Sequence, residues 1–346
     1  MDRIKTKILN ELAQSPKSLW EILERSDFLL KDLIDVLKDF YKNGLIEVGE
    51  EKIFLTKKGE ELVNKKSLAF LPEFCQICQG KKIILNEKLK ELLKDYKEIV
   101  KERPLPTEKF FQEYMQESDV IARVAFMHYN NDVDGKKIIL IGDDDLLSIA
   151  LALTNLPSRI LVLDIDERIG SFLEKVNKKH NFNIEFQKYN VSDPLPKKFL
   201  GKFDVFSSEP LETLTGLKAF ILRGILALRK DSSGYFGLTH AEASLKKWLE
   251  IEKFLTRMNC VITDLIAGFS LYPSVYHHFN NNLNKDLSYE NFVKRLPFKV
   301  PENKGIKWYK SALFRFEILE KPKIFGLNKK MKIEFVDKKE DITFPY

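Results

Sequence analysis

The sequence predicts an α/β protein: a Rossmann-like, doubly wound parallel sheet preceded by an N-terminal winged-helix domain. Three observations point there. Short β-branched apolar runs alternate with helical periodicities over about 130 residues, from Lys136 to Ile266. Ahead of them, the first 66 residues read as helices followed by a hairpin. The chain has 346 residues, 44% hydrophobic and 31% charged, which is globular in composition and too long for one ordinary domain. The predicted boundaries are 1–68 for the winged helix, 69–103 for a linker, 104–296 for the sheet domain, and 297–346 for its last strand and a flexible tail.

No stretch approaches eighteen consecutive apolar residues, so no membrane span is expected. Charges interspersed through MDRIKTKILNELAQ argue against a signal peptide. Three cysteines cannot build a disulfide framework and suit a reducing cytoplasm. The net charge of +6 is small for this length.

In the first domain, Ile4, Ile8, Leu9 and Leu12 recur at helical spacing, and Ser15-Pro16 breaks the helix. A short second helix carries Leu19, Ile22 and Leu23. A third, from about Phe28 to Lys42, aligns Leu29, Leu33, Val36, Leu37 and Phe40 on one face. Asn43-Gly44 ends it, because glycine accepts the left-handed conformation that closes a helix. LIEVGEEKIFL then reads as two strands around Gly49-Glu50-Glu51, and Thr56 caps a last helix ending near Lys66. A DNA reader of this kind needs a surplus of Lys and Arg, since phosphate neutralisation supplies most of the affinity. Residues 1–66 instead carry 13 basic and 13 acidic side chains. The third helix alternates Lys31, Asp32, Asp35, Lys38, Asp39 and Lys42, so packing or dimerisation is expected rather than DNA binding.

The linker holds Cys75-Gln76-Ile77-Cys78, half of a structural zinc set with no second pair in the chain, so no metal is assigned. A charged amphipathic helix over 87–103 leads to Pro104-Leu105-Pro106. Beyond it, KKIILI is a buried parallel strand ending in Gly142-Asp143-Asp144-Asp145, followed by the helix LLSIALALTNL. RILVLDID, the helix ERIGSFLEKVNKKH and strand NIEFQ come next, then FDVFS with Ser208-Glu209-Pro210. A helix over about 214–228, strand GYFGLT, helix AEASLKKWLEIEKFL and strand CVITDLI complete the series. SALFRFEIL suits an antiparallel last strand, with a further strand and a mobile end after it.

Ligands of such sheets lie beyond the carboxyl ends of the strands. Here those ends carry Asp143, Asp144, Asp145, Asp164, Asp166, Asn190 and Glu209. Asp164 or Asp166 stands where an adenosine ribose is gripped, about 20 residues after the first glycine turn. Gly142 alone does not make a GxGxxG loop, and three carboxylates beside it repel a pyrophosphate. Nicotinamide and flavin dinucleotides are therefore not expected, and an adenosyl ligand without phosphates fits better, as in a sheet of the S-adenosylmethionine-dependent transferase type. Carboxylates at a pocket mouth attract cations, a polyamine above all, and a nearby carboxylate can take the proton an amine must lose to become a nucleophile. One of the three aspartates is expected to cap the helix that follows.

Gly142-Asp143-Asp144-Asp145-Leu146 with Ser148, the segment VLDIDER (Val162 to Arg168) and Pro194-Leu195-Pro196 resemble the branched-chain polyamine synthases. So do Pro210 with Glu212-Thr213, Phe220 with Arg223-Gly224, and Gly234 to Thr239; the resemblance runs over nearly the whole chain. It implies transfer of aminopropyl groups from decarboxylated S-adenosylmethionine, a co-substrate rather than a bound cofactor, to the N4 amine of spermidine, leaving methylthioadenosine. By the same resemblance Asp145 would activate the amine with Asp144 beside it, and Asp143, Glu209 and Glu212 would contact the polyamine; from their places after and in the fifth strand, Glu242 suits either substrate contact or a first-turn helix charge, and Tyr235 either ligand contact or the core. Gly142, Asp164, Asp166, Asn190 and Gln112 would hold the donor. Three positions depart from the family pattern: Glu209 and Asn190 each stand for an aspartate, and Phe111-Gln112 for Asp-Gln. The alternatives are a methyltransferase using intact S-adenosylmethionine and a non-catalytic nucleoside or polyamine sensor.

Expected partners are a small-molecule polyamine and a second copy of the chain, with neither DNA nor membrane. His277-His278 lie in an aromatic, Asn-rich loop suited to covering a pocket, and His180 ends a charged helix on the surface. Tyr235 and Phe236 suit either ligand stacking or core packing. Asp337, Glu340 and Asp341 suit either folding over a bound polyamine or a solvated terminus. The lysine-rich, glutamine-poor composition hints at a thermophile.

Overall fold

The computed structural model describes residues 3–68, 75, 77, 78, 80–273, 291–320 and 326–343. The N-terminal unit contains α1 (Arg3–Gln14), α2 (Leu19–Glu24) and α3 (Leu30–Lys42), then the antiparallel pair β1 (Ile46–Val48) and β2 (Ile53–Leu55). Ser18 and Glu21 close a reciprocal capping box on α2. The Gly44 and Leu45 amides fold back onto the carbonyls of Tyr41 and Phe40 to finish α3. Thr56 caps α4 (Lys57–Glu60) by accepting the Gly59 amide, and a separate turn, α5 (Lys65–Leu68), follows where one continuous helix is predicted.

The second unit begins with α6 (Glu87–Val100) and α7 (Glu117–Tyr129) and proceeds through β3 (Lys137–Ile141), α8 (Leu147–Thr154), β4 (Arg159–Asp164), α9 (Glu167–His180) and β5 (Ile184–Lys188). It continues with β6 (Phe203–Ser208), α10 (Leu214–Ala227), β7 (Leu228–Thr239), α11 (Leu245–Arg257), β8 (Cys260–Leu271) and β9 (Lys310–Ile318). The seven strands are ordered β5-β4-β3-β6-β7-β9-β8, and β9 runs antiparallel to both neighbours as the sequence predicts. The other strands are mutually parallel, so their carboxyl ends line one edge.

Alternation along the buried strands sends side chains to two separate cores. Ile138, Leu140, Val162 and Val205 pack with α6, α7, α8 and α9, while Ile139, Ile141, Leu161, Leu163 and Phe206 pack with α10 and α11. A third core joins the N-terminal unit to the end of the chain through Trp20, Phe292, Trp308 and Ile342.

No strand follows β9 among the described residues of the tail. Residues 326–343 cross the carboxyl edge of the sheet in extended turns held by hydrogen bonds: Met331 to Ser192, Arg223 to the Lys329 carbonyl, and Thr213 to the Glu334 carbonyl. The expected mobile end is thus pinned as far as Thr343, because its polar groups find partners on the loops after β5, β6 and β7.

Candidate active site

The site begins where β3 ends. Gly142 turns the chain at a φ of +77°, donating its amide to the Leu163 carbonyl, and Leu146 completes the turn at +55°. Between them the three aspartates have separate tasks. The Asp143 carboxylate accepts from the Ser148 amide at 3.2 Å and the Ser148 hydroxyl at 2.5 Å, so Asp143 caps α8. The Asp145 carboxylate accepts the Met115 amide at 2.5 Å, and its carbonyl accepts the buried Tyr96 hydroxyl. Asp144 is half-buried and lines a narrow cleft together with Arg103, Gln112, Tyr114, Leu146 and Asp166.

Across the cleft, Asp164 at the end of β4 accepts the Asp143 amide at 2.9 Å and the Asp166 amide at 2.8 Å. Asp166 caps α9 through the Arg168 amide and is held by Gln112 Nε2 at 3.0 Å and by the Arg168 guanidinium. Gln112 is therefore joined to the second strand's acid, with its own Oε1 accepting from Thr107 and Arg168. The neighbouring Phe111 stacks on Phe335 of the tail at 6.2 Å. Asn190 is exposed beyond β5, its side chain accepting the Ser192 amide.

Glu209, just after β6, is gripped from two sides: its carboxylate pairs with the buried Arg123 of α7 and accepts the Tyr272 hydroxyl. It lies on Gly237 of β7, where a Cβ would come within 2.0 Å of Glu209 Oε2. Farther along the edge, Glu212 accepts the Thr239 amide at 2.8 Å, and its Oε2 has no hydrogen-bond partner among the described residues. Glu242 accepts from the Tyr309 hydroxyl at 2.8 Å and the Thr343 hydroxyl at 3.0 Å.

Burial and mutual repulsion decide the charge of this row. Burial, then the Glu209 charge, push the Asp145 carboxyl up to about 7, against the Met115 amide, Arg123 and Arg103. Asp143 and Asp144 are raised well above the ordinary carboxylate range, again by burial first. Burial also raises Asp164, while at Asp166 the hydrogen bonds from Arg168 and Gln112 outweigh burial and hold the carboxyl low. Glu242 is raised to about 7 by burial and Asp341, and Glu212 is raised by burial and Glu242. Several buried carboxyl groups with high proton affinity along one edge can accept protons from cations near neutral pH.

Two expectations need correction. Tyr235 is fully buried, and its hydroxyl bonds to Asp132 in the turn that feeds β3, at the amino end of the strand. Arg315 and Ser233 complete that polar cluster, which holds β7 and β9 together and does not face the cleft. Phe236 is core as well, stacked on Phe314 at 4.8 Å. In the tail, Asp337 and Glu340 are engaged by Lys247 at 3.1 and 3.3 Å, and Asp341 by Thr343, so these carboxylates already have protein partners. His277 and His278 lie outside the described residues. His180 ends α9 and stacks on Phe182.

Sequence reasoning missed Arg123, Tyr272, Tyr309 and Lys247. An arginine inside the otherwise apolar run VIARVAFM was the available signal for the first. Tyr272 and Tyr309 flank the ends of antiparallel strands, and nothing local marks them.

A family model described as the branched-chain polyamine synthase A C-terminal domain matches residues 91–343. The N(4)-bis(aminopropyl)spermidine synthase of Thermococcus kodakarensis is 37% identical over 334 residues, 95% of this chain and 92% of its own length. The synthase of the same name from Methanocaldococcus jannaschii is 36% identical over 305 residues, covering 87% and 83%. Among solved structures, the branched-chain polyamine synthase of Thermus thermophilus, in complex with N4-aminopropylspermidine and 5'-methylthioadenosine, superimposes with a TM-score of 0.80 at 31% identity, covering 99% of this chain and 93% of that one. With the family model spanning most of the chain and relatives above 30% identity along nearly all of it, the chain belongs to the branched-chain polyamine synthase family.

Proposed function

We propose that the chain transfers aminopropyl groups from decarboxylated S-adenosylmethionine to the N4 amine of spermidine and releases methylthioadenosine. The observation that carries this reading is Asp145: a buried carboxyl raised to about 7, next to Glu209 and one residue from the cleft between Asp144 and Asp166. The names of the synthases it resembles, and the ligands in the Thermus complex, support the same reaction.

The chemistry is an in-line displacement. The N4 lone pair attacks the aminopropyl carbon bound to sulfur; the C–S bond breaks with its electron pair passing to sulfur, so the sulfonium becomes a neutral thioether. The nitrogen must first give up a proton, and in this reading Asp145 is the base that takes it. A first transfer to a secondary amine leaves a proton on N4 that the base removes. A second transfer makes a quaternary nitrogen with none to lose, so the base acts only before the attack. Holding the two reactants in line supplies most of the remaining acceleration.

The donor lacks the carboxylate of intact S-adenosylmethionine and carries two positive charges, which an edge rich in carboxylates suits. In this reading Asp164 or Asp166, with Gln112 and Gly142, holds the donor's adenosine. Asp143 caps α8 and keeps the turn in shape. Glu209, Glu212 and Glu242 accept the ammonium groups of the acceptor, the unpaired Glu212 oxygen being the clearest vacant acceptor.

Incubation with spermidine and decarboxylated donor, followed by mass spectrometry, tests the reading. It predicts products heavier by one or two aminopropyl groups and one methylthioadenosine for each group added. Methyl increments from intact S-adenosylmethionine, or binding without turnover, would overturn it.

A further inference from the structure

Arg123 is an unusual side chain for its place. It projects from the middle of α7, a helix buried almost all round, and is 2% exposed. One guanidinium nitrogen pairs with Glu209, another donates to the Ser270 hydroxyl at 3.1 Å, and Nε has no hydrogen-bond partner among the described residues. The opposite side of the Glu209 carboxylate is closed by the Tyr272 hydroxyl, itself 3.1 Å from Ser311. The floor is Gly237, the one residue type that leaves room for the carboxylate there. One turn before Arg123, Asp119 accepts the Leu271 amide and pairs with the buried Lys81. So α7 fastens the end of β8, and through Tyr272 the position of Glu209, at two successive turns.

We propose that Arg123 is a positioning residue: it clamps Glu209 against Tyr272 over Gly237 and pairs the Glu209 charge, so that Asp145, on the same carboxyl edge of the sheet, can serve as the base. The inference deepens the aminopropyl-transfer reading and rests on it for the role of Asp145. The surroundings leave this task to few groups. Asp143, Asp144 and Asp145 in the turn after β3, Asp164 of β4 and Glu209 after β6 are acidic, and Tyr96 of α6, Tyr114 and Tyr272 are neutral phenols. Against them stand Arg123 and, after α6, Arg103, while Lys81 is committed to Asp119. Burying one arginine among these acids keeps their shared proton load from rising further.

The test is a charge cycle read from the acid limb of kcat against pH at saturating acceptor. Arg123→Met should move that limb upward by about one pH unit or more, the effect of deleting a nearby charge in a poorly screened site. Glu209→Gln should move it downward, and the double variant should return near the wild-type position. The double variant removes both partners of the buried ion pair, so it keeps the cycle readable if Arg123→Met alone folds poorly. Arg123→Lys, which keeps the charge, should restore most of the wild-type limb. Carboxyl-carbon NMR of aspartate-labelled protein, with Asp145→Asn assigning the resonance, follows the same ionisation without turnover. A chain inactive toward spermidine would therefore refute the reaction while these shifts still judge Arg123. Variants that lose rate with an unmoved limb and an unmoved Asp145 titration would overturn the proposal and leave Arg123 a packing residue.

Discussion

Asp145 is held in a state that favours chemistry over stability. Burial pushes its carboxyl up to about 7 in the folded chain, from the ordinary carboxylate range when unfolded, so between those values the folded chain binds a proton that the unfolded chain releases. Stability from this group is therefore greatest at low pH and is lost as pH rises toward 7, which is where the carboxylate proposed as the base forms. Asp145→Asn keeps an oxygen for the Met115 amide and removes that burden. It should lower kcat by about 10²-fold or more while raising the unfolding midpoint at pH 8 by a few degrees, a gap that closes toward pH 4. Calorimetry beside initial rates checks both; a variant equally unstable at pH 8 would remove the strain from the account. Gly237→Ala offers a second check. Its new methyl group would displace the Glu209 carboxylate, so the acceptor KM should rise about tenfold with smaller change in kcat. The acidic turn was legible from the sequence because three carboxylates exceed what a helix cap needs. Tyr235 was misread because strand position alone does not tell which end a long side chain leans toward. Arg123 was missed because its partner lies 86 positions away in the chain.

The helix α7 had no periodic stripe to reveal it. It is apolar nearly all round, the pattern of a buried helix, and its two internal charges are paired with Lys81 and Glu209. The strands were easier: short β-branched runs ending in Gly or Asp located β3 and β4 closely, while β8 extends to 12 residues because β9 pairs along it, and β7 extends back to Leu228, which pairs with Phe203 of β6. The start of α11 falls at Leu245 rather than Ala241, since Ser244 supplies the cap. That helix also fixes the tail. Lys247 Nζ is buried, donates to the Glu212 and Glu242 carbonyls, and pairs with Asp337 and Glu340. Lys247→Met should release the tail, with amide-exchange protection in residues 334–343 falling by about tenfold. Unchanged protection there would show that Phe111, Thr213 and Arg223 hold the tail without it.

The N-terminal unit is docked beside the end of β7 and the start of β9. The Leu30 amide donates to the Ala241 carbonyl, Lys310 pairs with Asp27 at 3.4 Å, and Trp20 donates from Nε1 to the Pro301 carbonyl at 3.0 Å. Trp20, Phe292 and Trp308 form an aromatic cluster, and Tyr309 beside it reaches Glu242. The exposed charges of α3 are largely spent on each other, Asp35 lying 3.2 Å from both Lys31 and Lys38. Trp20→Ala should destabilise the chain by about 3–5 kcal/mol and raise the acceptor KM, measured by denaturant unfolding and rates; a loss of stability with untouched kinetics would separate this unit from the site. Helices and hairpin were readable from periodicity and caps, whereas the docking surface was not, because Phe292, Trp308 and Ile342 come from the far end of the chain. A crystal structure of the chain with methylthioadenosine and spermidine bears most directly on the account. It should place the spermidine N4 within about 2.6–3.2 Å of the Asp145 carboxylate, with the ribose against Asp164 or Asp166. Spermidine bound away from the turn after β3, with Asp145 out of reach of any amine, would contradict it.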